Sequence, residues 1–248
     1  MQIGNNSLFL PTTVLMVSAG LAEEFGYVPE GTTGDLPSVR DALVEAHRQM
    51  LGDTFSRQTC TDYLEIRSGQ WLTKAFGRSA FYSGFAINGW YAYDEKSDYR
   101  RCGFMGYSFT EAEISEGDAV EIYAFEDSNG MDYYLYFLDD GQRVSELSVD
   151  AGQSKELTLE GLMFAYGGPM TDADRRKHRL VSNVKSAQLV CIDIDSGMTT
   201  PLEGAVTDSE GRVSLSFTEP GVRYISSQGG RCRYNTKLAS PWLVVRVS

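Results

Sequence analysis

The sequence has little of what most catalytic sites need. Only two histidines, His47 and His178, occur in 248 residues. The chain also lacks a GxSxG nucleophile elbow, an HExxH metal motif, a P-loop and a GxGxxG fingerprint. A Ser-His-Asp or Cys-His arrangement therefore has few possible bases, and the two histidines fall in different predicted domains. We expect a protein that is not an enzyme and that needs no cofactor.

Positive charge and long apolar runs are also scarce. The 34 acidic residues outnumber the 22 basic ones, so the net charge is −12. Nucleic-acid binding needs a basic surface, and nucleic acid is therefore excluded as a partner. The apolar stretch 8–17 is interrupted by Pro11, is too short to span a bilayer and lacks the basic region of a signal peptide. We expect no membrane insertion and a mature exported fragment whose signal has been removed.

The four cysteines leave two interpretations open. They are Cys60, Cys102, Cys191 and Cys232, and none forms a CxxC pair. Pairing Cys60 with Cys102 and Cys191 with Cys232 keeps each disulfide inside one predicted domain. This pairing is typical of an extracellular protein, whereas four buried free thiols would indicate a cytosolic one. We predict the two disulfides.

Acidic turns raise the question of a metal. The segments 126–132 and 193–195 offer clustered oxygens of the type that Ca²⁺ prefers, but neither has the spacing of an EF-hand loop. We interpret both as solvated turns and predict no metal site.

Residues 1–139 have the pattern of an α+β domain. Ser38 is a good N-cap, Asp41 occupies the capping-box position, and apolar residues recur at helical spacing up to Met50 before Gly52 ends the helix. Short strands and turns follow. We predict one main helix on a small mixed sheet, with His47 at the solvated edge of the helix.

Residues 140–248 lose the helical spacing. Short runs of strand character alternate with glycine-containing turns, as in a β-sandwich. In one run Val213, Leu215 and Phe217 alternate as the inward face. We therefore place a domain boundary at 139/140.

Aromatic residues give the predicted binding surface. Trp90, Tyr91, Tyr93 and Tyr107 follow or flank a predicted Asn88-Gly89 turn, and in a strand Trp90 and Tyr91 must face opposite sides. Exposed aromatics surrounded by polar groups can hold flat ligands such as sugars or peptides. The alternative is that alternate members are core residues of strands.

Two stretches resemble known families. The segments SAGLAEEFGY (18–27), DALVEAH (41–47), LGDTFS (51–56), GFAING (84–89) and SEGDAVEIYAFED (115–127) resemble, in this order, a domain of unknown function in surface proteins of Gram-positive gut bacteria. That domain is similar to the C-terminal domain of transcobalamin. The resemblance implies a β-grasp-like fold, export and presentation at the cell surface. The vitamin of that family lies against a second, helical domain that this sequence lacks, so at most half a corrinoid site is implied.

The second resemblance covers TPLEGAVTDSEGRVSLSFTEPGVRYISSQG (200–229) and PWLVVRVS (241–248), which are similar to bacterial immunoglobulin-like repeats. Such repeats are usually spacers or adhesive modules. Together the two resemblances imply an extracellular binding or adhesion protein whose ligand is a glycan, a peptide or a small molecule. The alternatives are a purely structural surface spacer and a corrinoid- or carbohydrate-binding accessory.

Overall fold

The chain divides into two compact units. The computed structural model describes residues 2–3, 15–28, 35–67, 71–79, 82–87, 112–118, 120–125, 133–163, 181–193, 196, 198–233, 238–239 and 241–248. The described residues up to 125 belong to the first unit, and those from 133 onward belong to the second unit.

The first unit contains short helices and two small sheets. Its described helices are α1 (Leu21–Glu24), α2 (Val39–Leu51) and α3 (Cys60–Tyr63), and a 3₁₀ turn (Gly52–Thr54) follows α2. Its described strands are β1 (Gln2–Ile3), β2 (Glu65–Arg67), β3 (Trp71–Ala75), β4 (Arg78–Ser79), β5 (Tyr82–Ile87) and β6 (Val120–Phe125). One sheet has the order β1-β6-β5, with β1 parallel to β6, and the other is the antiparallel meander β2-β3-β4.

The predicted helix is confirmed as α2, with the expected signals at both ends. The Asp41 backbone N–H donates to Ser38 Oγ, and the Asp41 carboxylate accepts from the Ser38 backbone N–H, which completes a capping box. Gly52 ends the helix at φ 54° and ψ −135°, a conformation that disfavours a side chain. Met50 is 43% exposed, so the buried face ends before it.

The predicted fold class of the first unit is wrong. Over its described residues the chain is mostly β, with 52% strand against 15% helix, and these residues form several sheets and about three short helices instead of one main helix on a small mixed sheet. Two local features explain the difference. The strands between Glu65 and Ile87 belong to two separate sheets. The segment Tyr133–Asp139, counted with the first domain in the sequence analysis, pairs within the second unit.

The second unit is built from strands alone over its described residues. They are β7 (Tyr133–Asp139), β8 (Gln142–Val144), β9 (Glu146–Val149), β10 (Ser154–Met163), β11 (Val181–Asn183), β12 (Lys185–Ile192), β13 (Thr199–Val206), β14 (Arg212–Ser216), β15 (Gly221–Arg231), β16 (Leu238–Ala239) and β17 (Leu243–Val247). One sheet has the order β11-β10-β7-β16, with β14 also on β10 and β8 on β7; the other has the order β13-β12-β15-β17-β9.

The two sheets of the second unit share one hydrophobic core. Phe137, Leu159 and Leu215 of the first sheet and Leu189 and Val245 of the second belong to the same buried cluster. Strands β9 and β14 alternate between exposed and buried positions, as expected when one face of a sheet packs and the other is solvated. The second unit is therefore a β-sandwich.

The predicted inward face of β14 agrees with this core. Val213 and Leu215 are 5% and 2% exposed, and Phe217 is partly buried against the same cluster. The alternation read from the sequence is confirmed here.

Asp140 and Gly141 form a hairpin turn within the second unit. Asp139 pairs with Gln142, so two residues connect β7 to β8, and Asp140 and Gly141 have φ values of 47° and 77°. These are the left-handed conformations of a type I′ turn. The predicted domain boundary at 139/140 falls at this turn, whereas the described part of the second unit begins one strand earlier, at Tyr133.

Candidate functional site

The predicted aromatic site lies outside the described residues. This applies to Trp90, Tyr91, Tyr93 and Tyr107, as well as to His178. The separate tyrosines of β7 are described and are buried: Tyr133, Tyr134 and Tyr136 are 0%, 4% and 7% exposed. Tyr136 donates a 3.0 Å hydrogen bond to the carboxylate of buried Glu160.

The predicted disulfide between Cys191 and Cys232 is not formed. Cys60, Cys191 and Cys232 are free thiols, and Cys102 lies outside the described residues. The register explains why Cys191 and Cys232 cannot meet. Ile225 of β15 pairs with Cys191, whereas Arg231, next to Cys232, pairs with Lys185 at the other end of β12. Six residues of strand span about 20 Å, and a disulfide needs α-carbons within about 7 Å.

The described part of the first unit contains a groove at the C-terminal end of α2. Its volume is about 600 Å³, within the range of small-ligand sites. It is shallow and open to solvent. The lining residues are Leu15, Met16, Glu45, Arg48, Gln49, Gly52, Asp53, Phe55 and Ser56. We refer to this set as the α2 groove.

The floor of the α2 groove is fixed by aromatic packing. Phe55 follows the 3₁₀ turn and is 4% exposed. Its ring stacks on Phe25 with centroids 5.2 Å apart and lies 5.2 Å from the ring of His47. Because Phe55 packs against both rings, the chain that follows α2 is packed against the helix at this residue.

The charged groups of the α2 groove come from the exposed face of α2 and from the 3₁₀ turn. Arg48 Nη1 lies 2.8 Å from Glu45 Oε2 in an i,i+3 ion pair. Asp53 is exposed, and no ion pair joins it to another described residue. The groove therefore has one paired set of charges and one additional carboxylate, giving a formal charge of −1.

Leu15 and Met16 also line the α2 groove. Neither belongs to a helix or strand, and the described residues provide no hydrogen-bond partner for the backbone of either one. The Met16 side chain is 87% exposed. Leu15 and Met16 thus add apolar side chains to the lining of the groove.

His47 is buried rather than solvated, which corrects the sequence-based expectation. It is 0% exposed. Nδ1 lies 2.7 Å from the Leu43 carbonyl and donates to it, while Nε2 accepts the Phe76 backbone N–H at 2.9 Å. The His47 and Phe76 rings stack at 3.9 Å and 3°. Burial lowers the pKa of His47 to about 4, opposed by the Leu43 and Tyr63 backbone groups.

These contacts identify the role of His47. Both ring nitrogens are occupied by backbone groups, so the neutral ring cannot act as a general base toward a ligand. Phe76 and Gly77 have φ values of 49° and 76° and form the two-residue turn between β3 and β4. His47 therefore joins α2 to a turn in which a non-glycine residue adopts a left-handed conformation.

A second buried polar cluster lies where α2 begins. Asp41 is 2% exposed, and its carboxylate accepts from the Ala22 backbone N–H and from the Ser38 backbone N–H and hydroxyl, each at 2.8 Å. Arg40 is 1% exposed, and among the described residues its guanidinium nitrogens have no hydrogen-bond partner and form one ion pair, with Glu23 at 3.7 Å. Burial lowers the pKa of Arg40, opposed by Asp41 and Glu23. Hydrogen bonds to Asp41 thus connect α1 to α2, whereas the buried positive charge of Arg40 is poorly compensated by the described carboxylates.

The α2 groove was not found by sequence reasoning. Glu45, Arg48 and Gln49 have the pattern of a solvated helix face, and nothing in that pattern places Leu15 and Met16 beside it. Among the described residues, no group of three or more histidine, cysteine or acidic side chains could hold a metal ion. No helix in the described ranges has the length and apolarity to cross a membrane.

Comparisons with known proteins do not identify a relative. No model of a known protein family matches the chain, and the curated proteins contain no match to it. The function is therefore argued from the chain's own residues.

Proposed function

We propose that this chain is an extracellular or cell-surface protein that binds a ligand without catalysing a reaction. The observation that carries the proposal is the α2 groove, because it combines a suitable volume, an apolar floor and both signs of charge in one place. Arg48 and Asp53 are exposed, Glu45 is half-buried, and His47, which packs beside Phe55, is neutral with both ring nitrogens hydrogen-bonded to backbone groups. Such an arrangement favours recognition over proton transfer.

The second unit takes a supporting role in this proposal. Its two sheets share one core and are compatible with an immunoglobulin-like sandwich, of the kind that the resemblance of residues 200–229 implies. A purely structural surface spacer is the second candidate, and the single buried core shared by the two sheets is the observation that favours it. The net charge of −12 supports the exclusion of nucleic acid as a partner.

Location at the surface of a Gram-positive cell rests on the resemblance of the first unit to surface proteins of gut bacteria. The cysteines give it no support, because their free thiols are equally suited to a reducing compartment. A corrinoid- or carbohydrate-binding accessory would be the same kind of binding protein, with a corrinoid or a carbohydrate as its ligand.

The test is a binding screen on the whole chain with groove variants. We suggest a glycan array, cyanocobalamin and a panel of capped tripeptides as probes, followed by amide chemical-shift mapping by NMR. Positive probes should shift the amides of Gln49 and Asp53, and Arg48→Ala should alter the affinity.

The matched control for this screen is Arg57→Ala. Arg57 also forms an exposed ion pair, with Glu24 at 3.2 Å, but it does not line the groove. If no probe shifts the groove amides, or if both variants change binding equally, ligand binding at the α2 groove is refuted and the spacer function is favoured.

A further inference from the structure

We propose that the contact between His47 and the β3–β4 turn is an acid-sensitive switch, in which protonation of His47 releases the turn from α2 while the rest of the first unit stays folded. The observation that carries it is a single buried nitrogen, His47 Nε2, that accepts a backbone N–H of a strained turn. This inference is independent of the proposed binding function.

The β3–β4 turn has a conformation that one of its two residues disfavours. Ala75 pairs with Arg78, so Phe76 and Gly77 are the turn residues, and both have positive φ, 49° and 76°. Glycine adopts this left-handed region readily, whereas a bulky residue such as phenylalanine adopts it only where surrounding contacts hold it. The turn therefore depends on its contacts more than an Asn-Gly or Asp-Gly turn would.

His47 supplies two of these contacts. Its Nε2 accepts the Phe76 backbone N–H at 2.9 Å, and its ring stacks on the Phe76 ring with centroids 3.9 Å and planes 3° apart. At the next residue, the Gly77 N–H donates to the Tyr63 carbonyl at 2.9 Å. His47 is buried, whereas Phe76 is partly exposed and Gly77 is exposed. The turn thus lies at the surface, where it can move without opening the core.

Protonation reverses the role of Nε2. Because Nδ1 already donates to the Leu43 carbonyl at 2.7 Å, the added proton goes to Nε2 and converts it from an acceptor into a donor. The Phe76 N–H then faces a second donor and loses its partner. The Tyr63 backbone, like that of Leu43, favours the charged form of His47 and so offers the new donor an acceptor. Because the Tyr63 carbonyl also holds Gly77, both backbone bonds of the turn are weakened together.

The pH at which the switch operates is set by burial. Burial of the ring, opposed by the Leu43 and Tyr63 backbone groups, lowers the pKa of His47 to about 4, and no charged side chain of the described residues contributes. The titratable side chains beside these contacts are at least partly exposed: Glu45 and Arg48 on α2, Asp53 in the 3₁₀ turn, Asp62 and Tyr63 at the end of α3, and Lys74 and Arg78 beside the β3–β4 turn.

The experiment is amide hydrogen exchange of the whole chain by NMR between pH 7.5 and pH 4, corrected for the intrinsic pH dependence of exchange. The protection of the Phe76 amide should fall about a hundredfold, because the pKa of His47 is about 4 in the closed turn and about 6.5 when released. Gly77 should follow Phe76. The Cys60 amide, which donates to the Ser56 carbonyl at 2.8 Å in the same unit, is the internal control and should keep its protection.

Two variants separate the switch from general acid sensitivity. His47→Gln cannot titrate, so the protection of Phe76 and Gly77 should not depend on pH in this range. Phe76→Gly keeps the backbone N–H, suits the left-handed position and exposes the His47 ring, so the pKa of His47 should rise toward 6.5. The acid-induced loss of protection at Gly77 should then be smaller than in the wild type, and this variant decides the question if His47→Gln does not fold.

Three results would overturn the inference. They are equal loss of protection at Phe76 and Cys60, which indicates unfolding of the whole unit, a Phe76 protection that does not depend on pH, and an unchanged loss at Gly77 in either variant. Because no ligand is needed, these results leave the proposed function untouched, and a failed binding screen leaves the switch untouched.

Discussion

The stability of the first unit should fall in mild acid because of His47. The folded state holds this histidine neutral, with a pKa of about 4, while the unfolded chain has an ordinary histidine pKa of about 6.5. Between these two values the unfolded state binds more protons, so lowering the pH favours unfolding. The stability contribution is complete above the unfolded pKa and is lost as the pH falls toward the folded pKa.

The magnitude follows from the two pKa values. The full difference corresponds to about 3 kcal/mol, and about 2 kcal/mol of it should be lost between pH 7.5 and pH 5. Structurally, protonation places a hydrogen on Nε2, the atom that accepts the Phe76 N–H at 2.9 Å. The bond between α2 and the β3–β4 turn is then replaced by a contact between two donors.

The assay is urea unfolding of the whole chain at pH 7.5 and pH 5, followed through amide signals of the first unit. His47→Gln cannot titrate and should lose about 2 kcal/mol less than the wild type between these two pH values. His178→Gln serves as the control and should behave like the wild type. Because the chain has only these two histidines, the same variants assign both ring signals in an NMR titration. A His47 ring pKa near 6.5, or equal acid sensitivity of His47→Gln and wild type, would refute the reasoning.

Four further predictions concern the buried groups. Asp41→Ala should lower the free energy of unfolding of the first unit by about 3 kcal/mol in urea, because it removes the acceptor of two backbone N–H groups; a loss under about 1 kcal/mol would contradict this. Arg40→Met should leave that stability unchanged or raise it, because the guanidinium is buried without hydrogen bonds, and a loss of about 3 kcal/mol would show that its ion pair is stabilising. Gly161→Ala should lower the free energy of unfolding of the second unit by about 2 kcal/mol, since a methyl group there would lie 2.6 Å from Cys232 Sγ. Adding Cys232→Ala should restore part of this loss. If the effects of the two substitutions on stability simply add, the close contact between residues 161 and 232 is contradicted. In the unreduced, unfolded chain both Cys191 and Cys232 should be alkylated as free thiols, as peptide mapping can show, and in the native chain Cys191 should be alkylated faster than Cys232, whose pKa burial raises to about 12. A disulfide between Cys191 and Cys232 would contradict the strand register.

The features that were predicted from the sequence depend on residues close together in the chain. The capping box joins Ser38 to Asp41, and Gly52 ends the same helix, so their chemistry is contained within one element. The inward face of β14 follows from alternation within five residues. Each of these patterns predicts the same local structure regardless of what the strand or helix packs against.

The features that were not predicted depend on partners far away in the sequence. His47 has polar neighbours on α2, which indicated a solvated position, but its burial depends on Phe76, 29 residues later. The α2 groove similarly needs Leu15 and Met16 beside the end of α2. Helix periodicity contains no information about either contact, because it describes one element and not its neighbour.

The cysteines and the Asp140-Gly141 turn show how strand register decides between readings that are equal in the sequence. An Asp-Gly pair fits a linker and a type I′ hairpin equally well, and the pairing of Asp139 with Gln142 selects the hairpin. An even number of cysteines likewise fits disulfides and free thiols. The pairing of Cys191 with Ile225 places Cys232 at the far end of β12 and excludes the disulfide. The proposal of a surface location therefore rests on the resemblance of the first unit, and a thiol count tests the disulfide argument independently of ligand binding.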